Sequence, residues 1–151
     1  MKRLVLALAV GLALGACSKS DPPKHEDRHE PAAAPDKLSL AVAIGDAKVT
    51  WTDAAFSRTP KLAGSASDGE ARDTWSLREL VHANVGPTAR VVAVVAPGGR
   101  VLVESIAWDD ATKTPILHTT RRGTLKFRWA DKDGKWGETL LKDVASIEVV
   151  R

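Results

Sequence analysis

The chain holds one cysteine, Cys17, at the end of an apolar run that begins almost at once. Met1-Lys2-Arg3 gives a short basic start. Leu4 to Leu14 is nearly all Leu, Val and Ala, and Leu14-Gly15-Ala16-Cys17 closes the segment. Two cations hold such a start on the cytoplasmic side while the apolar run enters the membrane. The run is shorter than the ~20 residues that span a bilayer, and small residues ahead of a cut let a peptidase reach the backbone. Residues 1–16 therefore read as a secretory signal removed before Cys17. This constrains the fold twice. The signal takes no part in it, and a cysteine committed to the mature terminus leaves no thiol for a disulfide, a metal thiolate or a nucleophile. Whatever folds must rest on core packing alone.

Processing also changes the charge. The whole chain carries 22 Lys+Arg against 19 Asp+Glu, a net charge of +3. Losing Lys2 and Arg3 leaves 22 − 2 = 20 against 19, or +1. A sequence pI near 9.2 thus overstates the basicity of the working protein, and a nucleic-acid partner is not expected.

Residues 17–37 follow as a tether, reading SKSDPPKHEDRHEPAAAPDK after the cysteine. Four prolines, many charges and no large apolar side chain give it too little to bury against its ordering entropy, so it is expected to be a disordered, semi-rigid spacer. His25 and His29, with Glu26, Asp27 and Glu30, have metal-ligand chemistry but no scaffold to preorganise them, and read as a solvated charged linker.

The remainder, residues 38–151, is expected to be one small α+β domain, strand-dominated, with one or two short helices. Leu38 to Ile44 alternates as a strand, Gly45-Asp46 turns, and Lys48 to Trp51 returns. Asp53 to Arg58 reads as a helical turn capped by Thr52 or Asp53 and stopped before Pro60. Lys61 to Asp73 is polar and reads as a loop. Ser76-Leu77-Arg78-Glu79 is a capping box, with Trp75 and Leu80 placed as a staple, and Asn84-Val85-Gly86-Pro87 ends that helix. Arg90 to Ala96 is Val-rich, as a strand covered on both faces would be. Pro97-Gly98-Gly99 turns it into Arg100 to Ile106, followed by a polar stretch from Trp108. Ile116–Thr119, Thr124–Ala130 and Val144–Val150 are further strands.

No reactive motif emerges: Walker, HExxH, CxxC and G-x-S-x-G patterns are all missing from the sequence, and no catalytic or metal-ligating residue is assigned. Asp131-Lys132-Asp133-Gly134 resembles a calcium loop only in composition. Its Gly falls at the fourth position, where an EF-hand needs it at the sixth, so it reads as a hairpin turn. His82 reads as an ordinary edge position. The candidate ligand-binding residues are His118, Arg121, Arg122 and Lys126: two adjacent arginines before a glycine can grip a phosphate or carboxylate through forked donors. The five tryptophans serve either the core or a groove.

The segment ending in Cys17 resembles the lipobox of bacterial lipoproteins. That resemblance implies diacylglyceryl transfer to the Cys17 thiol, anchoring to the membrane of a bacterial cell envelope and, with Ser18 after the cysteine, delivery to the outer membrane facing the periplasm. Further on, the run Trp75-Ser76-Leu77-Arg78-Glu79-Leu80-Val81, the Val-rich strand and Gly turn, Pro115-Ile116-Leu117 leading to Arg121-Arg122-Gly123-Thr124-Leu125-Lys126-Phe127, and Leu141 to Val149 together resemble the sulfite-oxidase-type molybdopterin-binding domain. The resemblance spans roughly residues 44–150. It implies a molybdopterin cofactor, but the family holds its metal through a cysteine thiolate, and this domain contains no cysteine. Two functions follow as expectations. One is a non-catalytic domain binding a periplasmic partner protein or a small anionic ligand. The other is a molybdopterin-type oxidoreductase or redox accessory domain without the cysteine ligand.

Overall fold

The computed structural model describes residues 38–63 and 72–151. The signal, Cys17 and the tether all lie outside the described residues. The domain is strand-dominated, as its alternating segments imply, and is built from two sheets.

The first sheet has five strands. Leu40 and Val42 alternate inward along β1 (Ser39–Ile44), and Gly45, at φ 57°, allows the tight reversal into β2 (Ala47–Thr52). Strands β4 (Arg90–Ala96) and β5 (Gly99–Leu102) form a second hairpin. Neither hairpin pairs with the other. The last strand, β9 (Ser146–Val150), lies between them, parallel to β1 and antiparallel to β4, giving the order β2-β1-β9-β4-β5. A transverse row of branched side chains results: Ile147 lies level with Val42 on one side and Val94 on the other, all at most 1% exposed. Cross-strand packing of this kind is the unit of sheet stability.

The second sheet runs β3 (Thr74–Ser76), β6 (Lys113–Thr119), β7 (Leu125–Asp131), β8 (Trp136–Leu141), all antiparallel. Trp75, Leu117, Leu125, Phe127 and Leu141 join Leu40, Val42, Val91, Val94 and Ile147 in one buried cluster, so both sheets share a core.

Among the described residues there are three short helices: α1 (Asp53–Phe56), α2 (Leu77–Asn84) and α3 (Ser105–Asp109). The Ser76 hydroxyl caps α2 by accepting from the Glu79 amide at 3.3 Å, as the capping box implies, and Leu77, Leu80 and Val81 face the core. Thr52 starts α1 without a side-chain cap; Asp53 instead accepts from the Leu38 amide.

Two local expectations are corrected. The strand expected over residues 100–106 stops at Leu102, and Ser105–Asp109 is a helix that turns Trp108 into the core at 2% exposure. Burying one large indole outweighs the β preference of the branched residues before it. Strands β3 and β8 are additions, formed by pairing with β6 and β7 and not announced by their own patterns. Trp51 and Trp75 are also buried in the core, while Trp129 and Trp136 are half-buried.

If the central row holds the first sheet together, Ile147→Ala should lower unfolding free energy by about 3 kcal/mol, within the usual range for emptying a fully buried site. Urea titration followed by tryptophan fluorescence would measure it; a loss below about 1 kcal/mol would show that β9 is not the keystone.

Candidate functional site

The inner face of the second sheet supplies core residues. Its other face is unusually polar. In register across that sheet, Thr74 of β3 stands beside His118 of β6, and His118 beside Lys126 of β7. One step along, Ser76, Ile116 and Arg128 share the same face. Polar side chains on an exposed face are ordinary, but His118 is only 3% exposed. Its ring lies 4.6 Å from the Trp136 ring, tilted by 32°. The Arg128 guanidinium lies 5.1 Å from the same indole, within cation–π range, and donates to the Gly137 carbonyl at 3.2 Å and to the Thr139 hydroxyl.

The protonation of His118 follows from its contacts. Its Nδ1 lies 3.1 Å from the Thr119 carbonyl oxygen, which can only accept, so Nδ1 carries the ring proton. Nε2 is then a bare acceptor, buried without a hydrogen-bond partner among the described residues. Burial pushes the imidazole pKa down to about 4; the Thr119 carbonyl opposes this, and the nearby cations Arg128, Lys126 and Arg72 add to it. At neutral pH His118 is uncharged.

Beyond β6 the chain turns through Thr120–Thr124. Gly123, at φ 73°, takes the left-handed position. The Thr120 hydroxyl oxygen accepts from the amides of Arg122 and Thr124, each at 3.2 Å, and lies 2.8 Å from the Thr124 hydroxyl. The Thr120 amide donates to the Thr124 carbonyl at 2.8 Å. The turn is thus internally tied and holds Arg121 and Arg122 on its exposed side.

Together these elements shape a cleft of about 380 Å³ lined by Arg72, His118, Thr119, Thr120, Arg121, Arg122, Thr124, Lys126, Lys142 and Asp143. All four sequence candidates, His118, Arg121, Arg122 and Lys126, meet in it. Two cations escaped the sequence reading. Arg72 arrives because β3 pairs with β6, and Lys142 because the chain leaves β8 at the same edge; both are tertiary juxtapositions without a local signal. Among the described residues, five cations, Arg72, Arg121, Arg122, Lys126 and Lys142, line it together with one acid, Asp143. Among the described residues, Arg122, Lys126 and Lys142 have no carboxylate partner.

Other sequence features lie elsewhere. His82 sits edge-on to Trp108, 6.4 Å between centroids, beside a separate cleft that contains Arg78 and Arg90. Asp131 accepts from the amides of Asp133 and Lys135 at 2.9 and 2.8 Å, closing the expected hairpin turn. Among the described residues no group of three His, Cys, Asp or Glu is placed to hold a metal. The thiolate by which the molybdopterin family holds its metal has no counterpart there either, because Cys17 is the chain's one cysteine and lies outside the described residues. Comparison with protein-family models, with curated proteins and with solved structures finds no match.

His118 also sets an expected pH dependence. A free imidazole titrates near 6.5 and this one near 4, so on acidification the unfolded chain takes up the proton first. Stability is full above pH ~6.5 and falls by at most about 3 kcal/mol as pH drops to ~4. His118→Phe should remove most of that fall at a cost of about 1 kcal/mol at pH 7, because it deletes an unpartnered buried nitrogen but also the Nδ1 hydrogen bond to the Thr119 carbonyl. Urea midpoints at pH 7 and pH 4.5 for both proteins check this; equal acid sensitivity would refute it.

Proposed function

We propose that residues 38–151 form a non-catalytic domain that binds a small anionic ligand in the cationic cleft, carried on a spacer from a lipidated Cys17 at the bacterial cell envelope. One observation carries the binding reading: three cations that have no carboxylate partner among the described residues, Arg122, Lys126 and Lys142, line a ligand-sized cleft, in a chain whose overall charge is only +3. Charge concentrated this far above the chain average attracts anions, and the half-enclosed walls strengthen the field at the cleft. Arginine forks suit planar carboxylates and phosphate oxygens, and lysines add rotatable point charges. The volume fits a small molecule. Among the described residues no thiol or pair of carboxylates lines the cleft, and its threonine hydroxyls are engaged in hydrogen bonds of their own, so the reading is binding and not turnover. The anchor rests on the basic start, the short apolar run and the small residues before Cys17.

Arg122→Ala and Lys126→Ala should each weaken binding of inorganic phosphate to the full chain about tenfold, the scale of one charge-assisted hydrogen bond. Melting temperature should hardly move, since among the described residues neither side chain has an ion-pair or hydrogen-bond partner to lose. Calorimetric titration measures the first and a thermal scan the second. Unchanged affinity in both variants would dismiss the cleft as the anion site.

For the anchor, Cys17→Ala should move the protein from the membrane fraction to the soluble envelope fraction and abolish labelling by radioactive palmitate in the expressing bacterium. Membrane retention of the variant would rule out the lipid attachment.

A further inference from the structure

The cationic cleft contains one charge that works against it. Asp143 lines the cleft with Arg122, Lys126 and Lys142, and it is exposed to solvent. The backbone on both sides fixes its place. Leu141 pairs with Phe127 of β7, and the Val144 amide donates to the Leu125 carbonyl at 2.8 Å. Lys142 and Asp143 are thereby pinned along the start of β7, one strand spacing, about 4.8 Å, from the backbone that carries Lys126. Even so, among the described residues Asp143 has no ion pair and no side-chain hydrogen bond. Its carboxylate stands open as an acceptor.

The turn does not require this charge. Asp143 sits at φ 56°. Gly and Asn take that conformation at least as readily as Asp, and either would close the reversal without a negative charge. For a bare anion the carboxylate is a penalty, because it repels a phosphate held by Lys126 at this range. A ligand that carries its own cation turns the penalty into an attraction. Its ammonium donates to Asp143 while its phosphate takes the donors of Arg122 and Lys126.

From the open Asp143 carboxylate beside Arg122, Lys126 and Lys142, we infer that the ligand is an aminoalkyl phosphate, a phosphate group joined by a short chain to a primary ammonium. The inference rests on the cleft being an anion site, and it names the second group by which that site selects. A free aminoalkyl phosphate and the phosphoethanolamine headgroup of a lipid share this chemistry.

The test is calorimetric titration of the full chain at pH 7 with phosphoethanolamine, ethyl phosphate, inorganic phosphate and glycerophosphoethanolamine at equal ionic strength. Ethyl phosphate is close in size to phosphoethanolamine and lacks the ammonium. Charge alone favours ethyl phosphate in a cationic cleft, so the order of the two is diagnostic. Phosphoethanolamine should bind about tenfold tighter, the scale of one charge-assisted hydrogen bond. Asp143→Asn preserves the left-handed conformation, which Asn tolerates as Asp does, and should reverse the order. Phosphoethanolamine should weaken about tenfold, while ethyl phosphate tightens about twofold as the repulsion disappears. Damage to the fold would weaken both ligands, so shifts of opposite sign report the charge itself. Glycerophosphoethanolamine identifies the source: binding as tight as phosphoethanolamine marks a lipid headgroup, and much weaker binding marks the free aminoalkyl phosphate. Wild-type affinity for ethyl phosphate equal to or above that for phosphoethanolamine, or a preference that survives Asp143→Asn, overturns the selectivity while leaving the anion site standing. Failure of every phosphate to bind removes the site itself.

Discussion

The structure hangs on where its last strand goes. After β8 the chain reverses at Lys142-Asp143, and the next two residues are stitched to three different strands. The Val144 amide donates to the Leu125 carbonyl of β7, the Ala145 amide to Val95 of β4, and the Ala145 carbonyl accepts from Ala41 of β1, at 2.8, 2.9 and 3.1 Å. From this crossing β9 enters the gap between two hairpins that have no other ladder in common. Pairing of such sequence-distant strands is entropically expensive to initiate. It is repaid by the row of Val42, Ile147 and Val94 and by the shared core beneath it. The reversal has its own cost, since Asp143 sits at φ 56°, a conformation that Asp tolerates better than most side chains. The same two residues, Lys142 and Asp143, form one wall of the cationic cleft. The connection that locks the first sheet therefore also fixes the geometry of the candidate site on the second.

That site shows a different economy from the core. A sheet with one face packed ordinarily leaves the other to water, where polar groups cost nothing. Here the outer face holds His118 nearly sealed, pressed on Trp136, with an arginine against the same indole. The arrangement suppresses the imidazole's charge and leaves Nε2 unpaired. Phenylalanine or leucine would fill the space without either penalty. A sequence that is otherwise locally consistent, with capped helix, alternating strands and glycines at the reversals, is most informative where it breaks its own rules. The break falls inside the cleft that concentrates the cations.

How much of this the sequence announces depends on range. Strands β1, β4, β7 and β9 were legible because their apolar residues alternate or run together over five or more positions, and α2 because Ser76 and Glu79 stand at capping distance. Strand β3 is three residues long and exists because β6 offers a partner. Strand β8 is broken by register shifts and by Gly137, whose missing Cβ would lie 3.2 Å from the Trp129 carbonyl. Neither has a period to detect. Helix α3 is governed by the burial of Trp108, a tertiary fact. The site divides the same way. His118, Arg121, Arg122 and Lys126 are close in sequence across one turn, so composition alone drew them together. Arg72 and Lys142 reach the cleft only through strand pairing, and the burial that makes His118 unusual depends on Trp136, eighteen positions away in a strand that local pattern does not reveal.

The distribution of acids completes the electrostatic argument. Several cations elsewhere among the described residues have an acid close at hand: Arg100 forks onto Glu148 at 3.1 and 2.6 Å, Arg90 meets Asp109, Lys61 meets Asp73 at 2.8 Å, and Lys113 approaches Asp110. These exposed pairs add little stability, each on the order of 1 kcal/mol or less. Their larger effect is on the field. They cancel those charges locally. Arg122, Lys126 and Lys142 keep their charge because no carboxylate among the described residues reaches them.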